Sequence, residues 1–258
     1  MEINCFYFGK YAYTFVPWQI EEDILRIKST GAHSITLNVI EQDYKAAKEN
    51  IVLVISVAQK HGLKVYVLPD GWCNVLGGVS QFPSVFAVKN MDSCLKNSES
   101  KHLITNLGPV ASILEKRTIE YLKKKLKECF EGFAFDGILW YQCKLHQSFI
   151  SKEKYEQFFS GLHFYIKDHF GSEKTIDWYH TDSTSLNTNN IKGLRYITHD
   201  IQILDHRNYT KESTESLTLE IENLFRKKPK MFCYFDYPAN VELPEKSMTV
   251  IRKTLQNK

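Results

Sequence analysis

Apolar positions in this chain follow two spacings in turn, short runs of strand character and then stretches that repeat every three to four residues. Ile3 to Phe8 is a short apolar and aromatic strand. From Trp18 to Ser29, Ile20, Ile24 and Ile27 recur at helical spacing, and Gly31 supplies a C-terminal stop. Ser34 to Val39 is β-branched and predicts a second strand. From about Asp43, residues Ala47, Ile51, Val54, Ile55 and Ala58 form one apolar stripe that His61-Gly62 brings to an end. Leu63 to Leu68 predicts a third strand, stopped by Pro69, and a loop rich in Gly and aromatic residues follows from Asp70 to Gly78.

The alternation continues through the second half. Lys101 to Thr105 predicts a short fourth strand, and Pro109 suits the first turn of a helix reaching about Phe130, with Ile119, Leu122, Leu126 and Cys129 on one face. Phe133 to Trp140 reads as a fifth strand. Tyr155, Phe158, Phe159, Leu162 and Ile166 outline a helix that ends near Gly171. Lys174 to Tyr179 and Leu194 to Thr198 predict strands six and seven, separated by a polar loop. Leu217, Ile221, Leu224 and Phe225 mark a helix, Lys230 to Phe235 the eighth strand, and Pro244 to Leu255 a closing helix.

Roughly eight strand–helix units in 258 residues are the dimensions of an α/β chain folded as a (β/α)₈ TIM barrel, here a single domain over 1–258. Its strands are nearly continuous apolar runs, as strands covered on both faces should be. The competing arrangement is an open doubly wound sheet, although no Gly-x-Gly-x-x-Gly turn follows the first strand.

Composition narrows the function classes. The apolar fraction of 43% and charged fraction of 24% are those of an ordinary globular protein. With 33 basic against 30 acidic side chains, the balance implies no polyanionic partner. The basic run Lys123-Lys124-Lys125-Leu126-Lys127 flanks an apolar helical stripe and reads as a solvated face, so no nucleic-acid partner is expected. Six cysteines are scattered without a C-x-x-C pair, which suits thiols in a reducing compartment. Neither an export signal nor an apolar run of membrane length is visible, so the expectation is a cytoplasmic protein without a membrane partner.

In a barrel the active site is built at the C-terminal ends of the strands. Those positions hold Tyr7 and Lys10; Asn38, Glu41 and Asp43; Asp70 and Trp72; and Asn106. Further along they hold Trp140, Tyr141 and Gln142; Trp178, Tyr179, His180 and Asp182; His199 and Asp200; and Asp236 and Tyr237. The set is aromatic and polar, as sugar-binding clefts often are. Aromatic faces pack on sugar C–H surfaces while amides and carboxylates take the hydroxyls.

A resemblance supports that reading. Ser29-Thr30-Gly31-Ala32-His33-Ser34-Ile35-Thr36-Leu37, Ala58-Gln59-Lys60-His61-Gly62-Leu63-Lys64-Val65-Tyr66-Val67-Leu68-Pro69 and the tail Tyr234-Phe235-Asp236-Tyr237-Pro238 resemble segments of glycoside-hydrolase-type TIM barrels. Such barrels often carry a strand-five segment D-G-I-x-x-D-E-P or D-G-x-D-x-D-x-E, whose beginning Asp136-Gly137-Ile138 matches. The acids of the first form fall at Tyr141 and Gln142, and those of the second at Leu139, Tyr141 and Cys143, so neither set is present. Glycoside hydrolysis needs two carboxyl groups, and Gln cannot move a proton. The resemblance therefore implies either lost chemistry or acids supplied elsewhere.

Asp200 and Asp236 are the favoured catalytic pair, with Glu41 as a third candidate. Tyr7, Trp72, Asn106, Trp140, Tyr141, Gln142, Trp178, His180 and Tyr237 are the candidate substrate contacts. The expected ligand is a small molecule or oligosaccharide, with no cofactor. Two alternatives stay open. One is a catalytically inactive barrel used for binding or assembly. The other is a metal-dependent hydrolase using His180, His199, Asp200, His206 and Asp236.

Overall fold

A computed structural model describes residues 1–7, 17–76, 83–105, 107–141, 149–171, 173–179, 201–204, 214–236 and 244–256. In chain order the elements are β1 (Glu2–Tyr7), α1 (Pro17–Ser29), β2 (Ser34–Val39), α2 (Asp43–Ala46), α3 (Lys48–Lys60) and β3 (Lys64–Pro69). Next come α4 (Val85–Lys89), β4 (Ile104–Thr105), β5 (Gly108–Pro109), α5 (Lys116–Gly132), β6 (Gly137–Tyr141), α6 (Lys152–Phe170) and β7 (Thr175–Tyr179). The last are β8 (Ile201–Leu204), α7 (Thr214–Arg226), β9 (Met231–Asp236) and α8 (Pro244–Gln256). They group into two compact units: Met1–Asn38 with Ala47–Val67 and Ile197–Lys258, and Val39–Ala46 with Leu68–Tyr196.

The first unit is built on a five-stranded parallel sheet in the order β3-β2-β1-β9-β8. Its register follows from β1, where Asn4 pairs with Ser34 and Phe6 with Thr36 on one side, and Asn4 with Cys233 and Tyr7 with Asp236 on the other. Side chains alternate between two faces. On one face, the Tyr7 hydroxyl donates to Asp23 Oδ2 of α1 at 3.0 Å. On the same alternation the Tyr234 hydroxyl meets Thr30 Oγ1 at 2.7 Å, and Phe232 packs on Phe225 of α7 with ring centres 4.9 Å apart. This face lies under the helices.

The opposite face is equally buried but polar at its centre. Asn4, Ser34 and Thr36 are fully buried, with Asn4 Nδ2 donating to Ser34 Oγ at 2.8 Å and Thr36 Oγ1 donating to Asn4 Oδ1 at 2.9 Å. Burial on both faces explains why Ile3 through Tyr7 contain a single polar side chain.

The helical stripes fold as their spacing requires. Ile20, Ile24 and Ile27 are all fully buried on α1, each worth roughly 1.5–3 kcal/mol of apolar burial. Gly31 (φ +88°) and Gly62 (φ +75°) end α1 and α3 in the left-handed region, where a Cβ is costly, and Leu63 N–H returns to Ala58 O at 3.0 Å.

In the second unit, β6 and β7 pair in parallel from Gly137 opposite Thr175 to Tyr141 opposite Tyr179. Helices α5 and α6 meet through Phe130 and Phe170, whose ring centres are 5.1 Å apart, and through Lys123 over Tyr165 at 5.2 Å.

Several expectations are corrected. The segment Lys101 to Thr105 is not a strand of the parallel sheet. Only Ile104 and Thr105 pair, antiparallel, with Pro109 and Gly108. Pro109 is therefore extended rather than helical, and α5 starts at Lys116 after Glu115 turns the chain. The helix expected from Asp43 is two helices, because Ala47 leaves helical geometry (φ −125°, ψ 20°). Phe133 and Phe135 are buried ahead of β6, which begins at Gly137. Leu194 to Thr198 lies outside the described residues, and Ile201–Leu204 is a strand parallel to β9. Among the described residues, no helix is long and apolar enough to cross a membrane.

Candidate functional site

Glu41 leaves the end of β2 and is almost fully buried, at 7% exposure. A lone carboxylate there would be costly, so its oxygens need donors. Oε1 accepts from the Cys73 main-chain N–H at 2.7 Å and from the Ser84 hydroxyl at 2.7 Å, and Oε2 accepts from the Phe86 N–H at 3.0 Å. Ser84 is also the N-cap of α4, accepting from the Ala87 N–H at 3.1 Å. The carboxylate therefore ties the turn after β3 to the start of α4.

That turn is strained. Cys73 (φ 58°) and Asn74 (φ 52°) occupy the left-handed region in succession, at a cost of about 1–2 kcal/mol per residue that asparagine tolerates better than cysteine. The bond from Cys73 N–H to Glu41 helps hold the turn. The Asn74 amide does the same on its other side, donating to Pro109 O at 3.2 Å.

Around this clamp the polar groups are held neutral or paired. Burial, then the Glu41 carboxylate, push the Cys73 thiol well up, and the same causes raise the Tyr121 phenol. Burial pushes the Cys129 thiol up to about 12, and burial followed by nearby Cys129 raises Tyr44. Lys125 lies 5.2 Å from the Tyr44 ring centre and 5.7 Å from that of Tyr121, its ammonium 2.6 Å from Glu128 Oε2. None of these thiols or phenols is an ionised nucleophile near neutral pH.

Three predicted site residues thus have internal partners. Glu41 is saturated by loop donors. Tyr7 is 1% exposed, and its hydroxyl donates to Asp23 Oδ2. Trp72 is fully buried, its Nε1–H donating to Val39 O at 2.8 Å and its ring edge-on to Tyr44 at 5.5 Å, which makes it core rather than a sugar platform. The aromatic-rich loop signal was real, but it reported packing.

Trp140 and Trp178 are paired in register on β6 and β7, as are Tyr141 and Tyr179 at the strand ends. Asp236 ends β9, paired in register with Tyr7. Asn106, Gln142, His180, Asp200 and Tyr237 lie outside the described residues, as do His199 and His206 of the metal alternative. Among the described residues, no group of three or more His, Cys, Asp or Glu side chains is placed to hold a metal ion.

Chain order adds one residue that the sequence reading missed. In the sequence Asp200 directly precedes β8, and the first carboxylate after that strand is Asp205. The alternating Ile201-Gln202-Ile203-Leu204 was the signal that could have found it.

No protein-family model matches the sequence, and no curated protein is a significant match to it. Solved structures do match in fold. A noncanonic maltogenic alpha-amylase from Thermotoga neapolitana superposes with a TM-score of 0.62 at 12% identity, covering 99% of this chain and 76% of that one. Dispersin B matches with a TM-score of 0.57 at 9% identity, covering 99% of both chains. A GH36 alpha-galactosidase from Geobacillus stearothermophilus matches with a TM-score of 0.61 at 8% identity, and this chain spans 41% of its length. The mixed α/β architecture with its five-stranded parallel sheet is similar in fold to these three structures.

Proposed function

We propose that the chain closes as a single (β/α)₈ barrel domain over 1–258 and binds a carbohydrate or glycoconjugate at the C-terminal ends of its strands, hydrolysing a glycosidic bond there. The observation that carries this reading is the likeness of nearly the whole chain to solved structures of a maltogenic alpha-amylase and a GH36 alpha-galactosidase. The first unit adds support, since its sheet has helices on one face and a buried polar face on the other, as a barrel wall would.

Hydrolysis needs an acid and a nucleophile or base. With Glu41 occupied, the proposed carboxylates are Asp236 and Asp200, together with Asp205 after β8. Asn106, Trp140, Tyr141, Gln142, Trp178, His180 and Tyr237 are the proposed substrate contacts. Calorimetry and turnover assays with raffinose, stachyose and maltooligosaccharides test the reading. Binding with turnover that falls at least 100-fold in Asp236→Asn supports it, and no binding to any of them refutes it.

A second reading, a barrel that binds sugar without cleaving it, is favoured by one observation. The strand-end segment after Asp136-Gly137-Ile138 carries Tyr141, Gln142 and Cys143 where the glycoside-hydrolase-type segment that it resembles carries acids. Binding without turnover selects it.

A further inference from the structure

Strand alternation places Asn38 on the same face of β2 as Ser34 and Thr36, the face opposite the helices. Along that face the polar groups satisfy one another as far as Thr36, whose hydroxyl is committed to Asn4 Oδ1 at 2.9 Å, while the Asn4 amide is committed to Ser34 at 2.8 Å. Asn38 stands about 6–7 Å further towards the C-terminal end of the strand. Its Oδ1 is buried and has no hydrogen-bond partner.

A buried amide oxygen left unpaired is destabilising, and in folded proteins such groups bond to backbone, water or another side chain. The hydroxyl of Thr36, two residues back on this face, already donates to Asn4. The acceptor lies one residue before the end of β2, on the buried polar face of the sheet. We infer that Asn38 is a substrate-binding residue whose Oδ1 accepts a hydrogen bond from a ligand hydroxyl. The ligand class is a polyhydroxylated molecule, a sugar, because the site offers a neutral acceptor and an amide donor on one side chain. This rests on the carbohydrate reading above and assigns it a contact.

The residue is then a specificity determinant, since a site shaped to pair a hydroxyl rejects the analogue lacking it. The test compares wild type with Asn38→Leu, which keeps the volume and removes both polar atoms. Raffinose is the first probe, followed by methyl α-galactoside and its four monodeoxy analogues, with binding read by calorimetry and folding by thermal melts. The expected result is a melting temperature equal to or above wild type, with affinity at least tenfold weaker. One deoxy analogue should also bind both proteins equally.

Unchanged affinity in Asn38→Leu overturns this inference and leaves the carbohydrate reading standing. A melting temperature several degrees lower also overturns it, because the amide would then be structural. If wild type binds none of the sugars, the carbohydrate reading falls and this assignment with it.

Discussion

Replacing Glu41 separates a structural carboxylate from a chemical one. In Glu41→Ala, the Cys73 N–H, the Phe86 N–H and the Ser84 hydroxyl lose an acceptor that now stands 2.7–3.0 Å away. Each buried donor left unpaired costs about 1–3 kcal/mol, and water entering the vacated space recovers part of that, so the expected loss is about 3–5 kcal/mol. Glu41→Gln keeps one acceptor oxygen but turns an NH₂ group towards a donor, for an expected loss of about 1–3 kcal/mol. Against a typical total stability of about 5–15 kcal/mol, the alanine variant would sit close to unfolding. Urea denaturation at neutral pH, followed by tryptophan fluorescence, measures both, with sugar turnover assayed on the same samples. The reasoning is refuted if Glu41→Gln unfolds like wild type while turnover falls 100-fold or more, because Glu41 would then be moving a proton.

Two further perturbations follow from burial. His163, on α6, is held down to about 4, first by burial and then by the Lys167 charge, so it is neutral in the folded state near pH 6, whereas the unfolded chain takes up the proton near 6.5. Its contribution is complete above about pH 6.5 and is lost as pH falls towards about 4, by up to about 3 kcal/mol. His163→Phe should flatten that part of the stability curve, and parallel wild-type and variant curves would contradict the assignment. The Cys73 and Cys129 thiols, both raised by burial, should resist a disulfide reagent at pH 8 in the native protein and react fully in urea. Rapid native labelling at either would contradict their placement.

The elements carried by strong apolar periodicity were legible in the sequence. Ile20, Ile24 and Ile27 fixed α1, and the paired apolar runs Ile3 to Tyr7 and Met231 to Phe235 fixed the adjacent strands β1 and β9. Local signals failed where tertiary partners decide the outcome. Pro109 is as compatible with an extended ladder as with a helix start, and the antiparallel pairing with Ile104 selects the ladder. Strand β8 is only four residues long, too short for its alternation to stand out.

The site was harder to read for the same reason. A carboxylate or tryptophan after a strand looks identical in sequence whether it meets a ligand or a loop. Glu41 meets Cys73, Ser84 and Phe86, and Trp72 meets Val39 and Tyr44, contacts set by a turn in which Gly71, Cys73 and Asn74 are all left-handed and only the first is a glycine. Asn38 went the other way. It stands among the strand-end positions in the sequence but not among the candidate contacts, and its interest comes from an oxygen that the fold buries without a partner.

The most direct measurement is a crystal structure of the protein soaked with raffinose at saturating concentration. The account predicts sugar density at the C-terminal ends of the parallel strands, with a hydroxyl within hydrogen-bond distance of Asn38 Oδ1. Sugar bound against the helices, or a fully occupied lattice with no sugar at the strand ends, would contradict it.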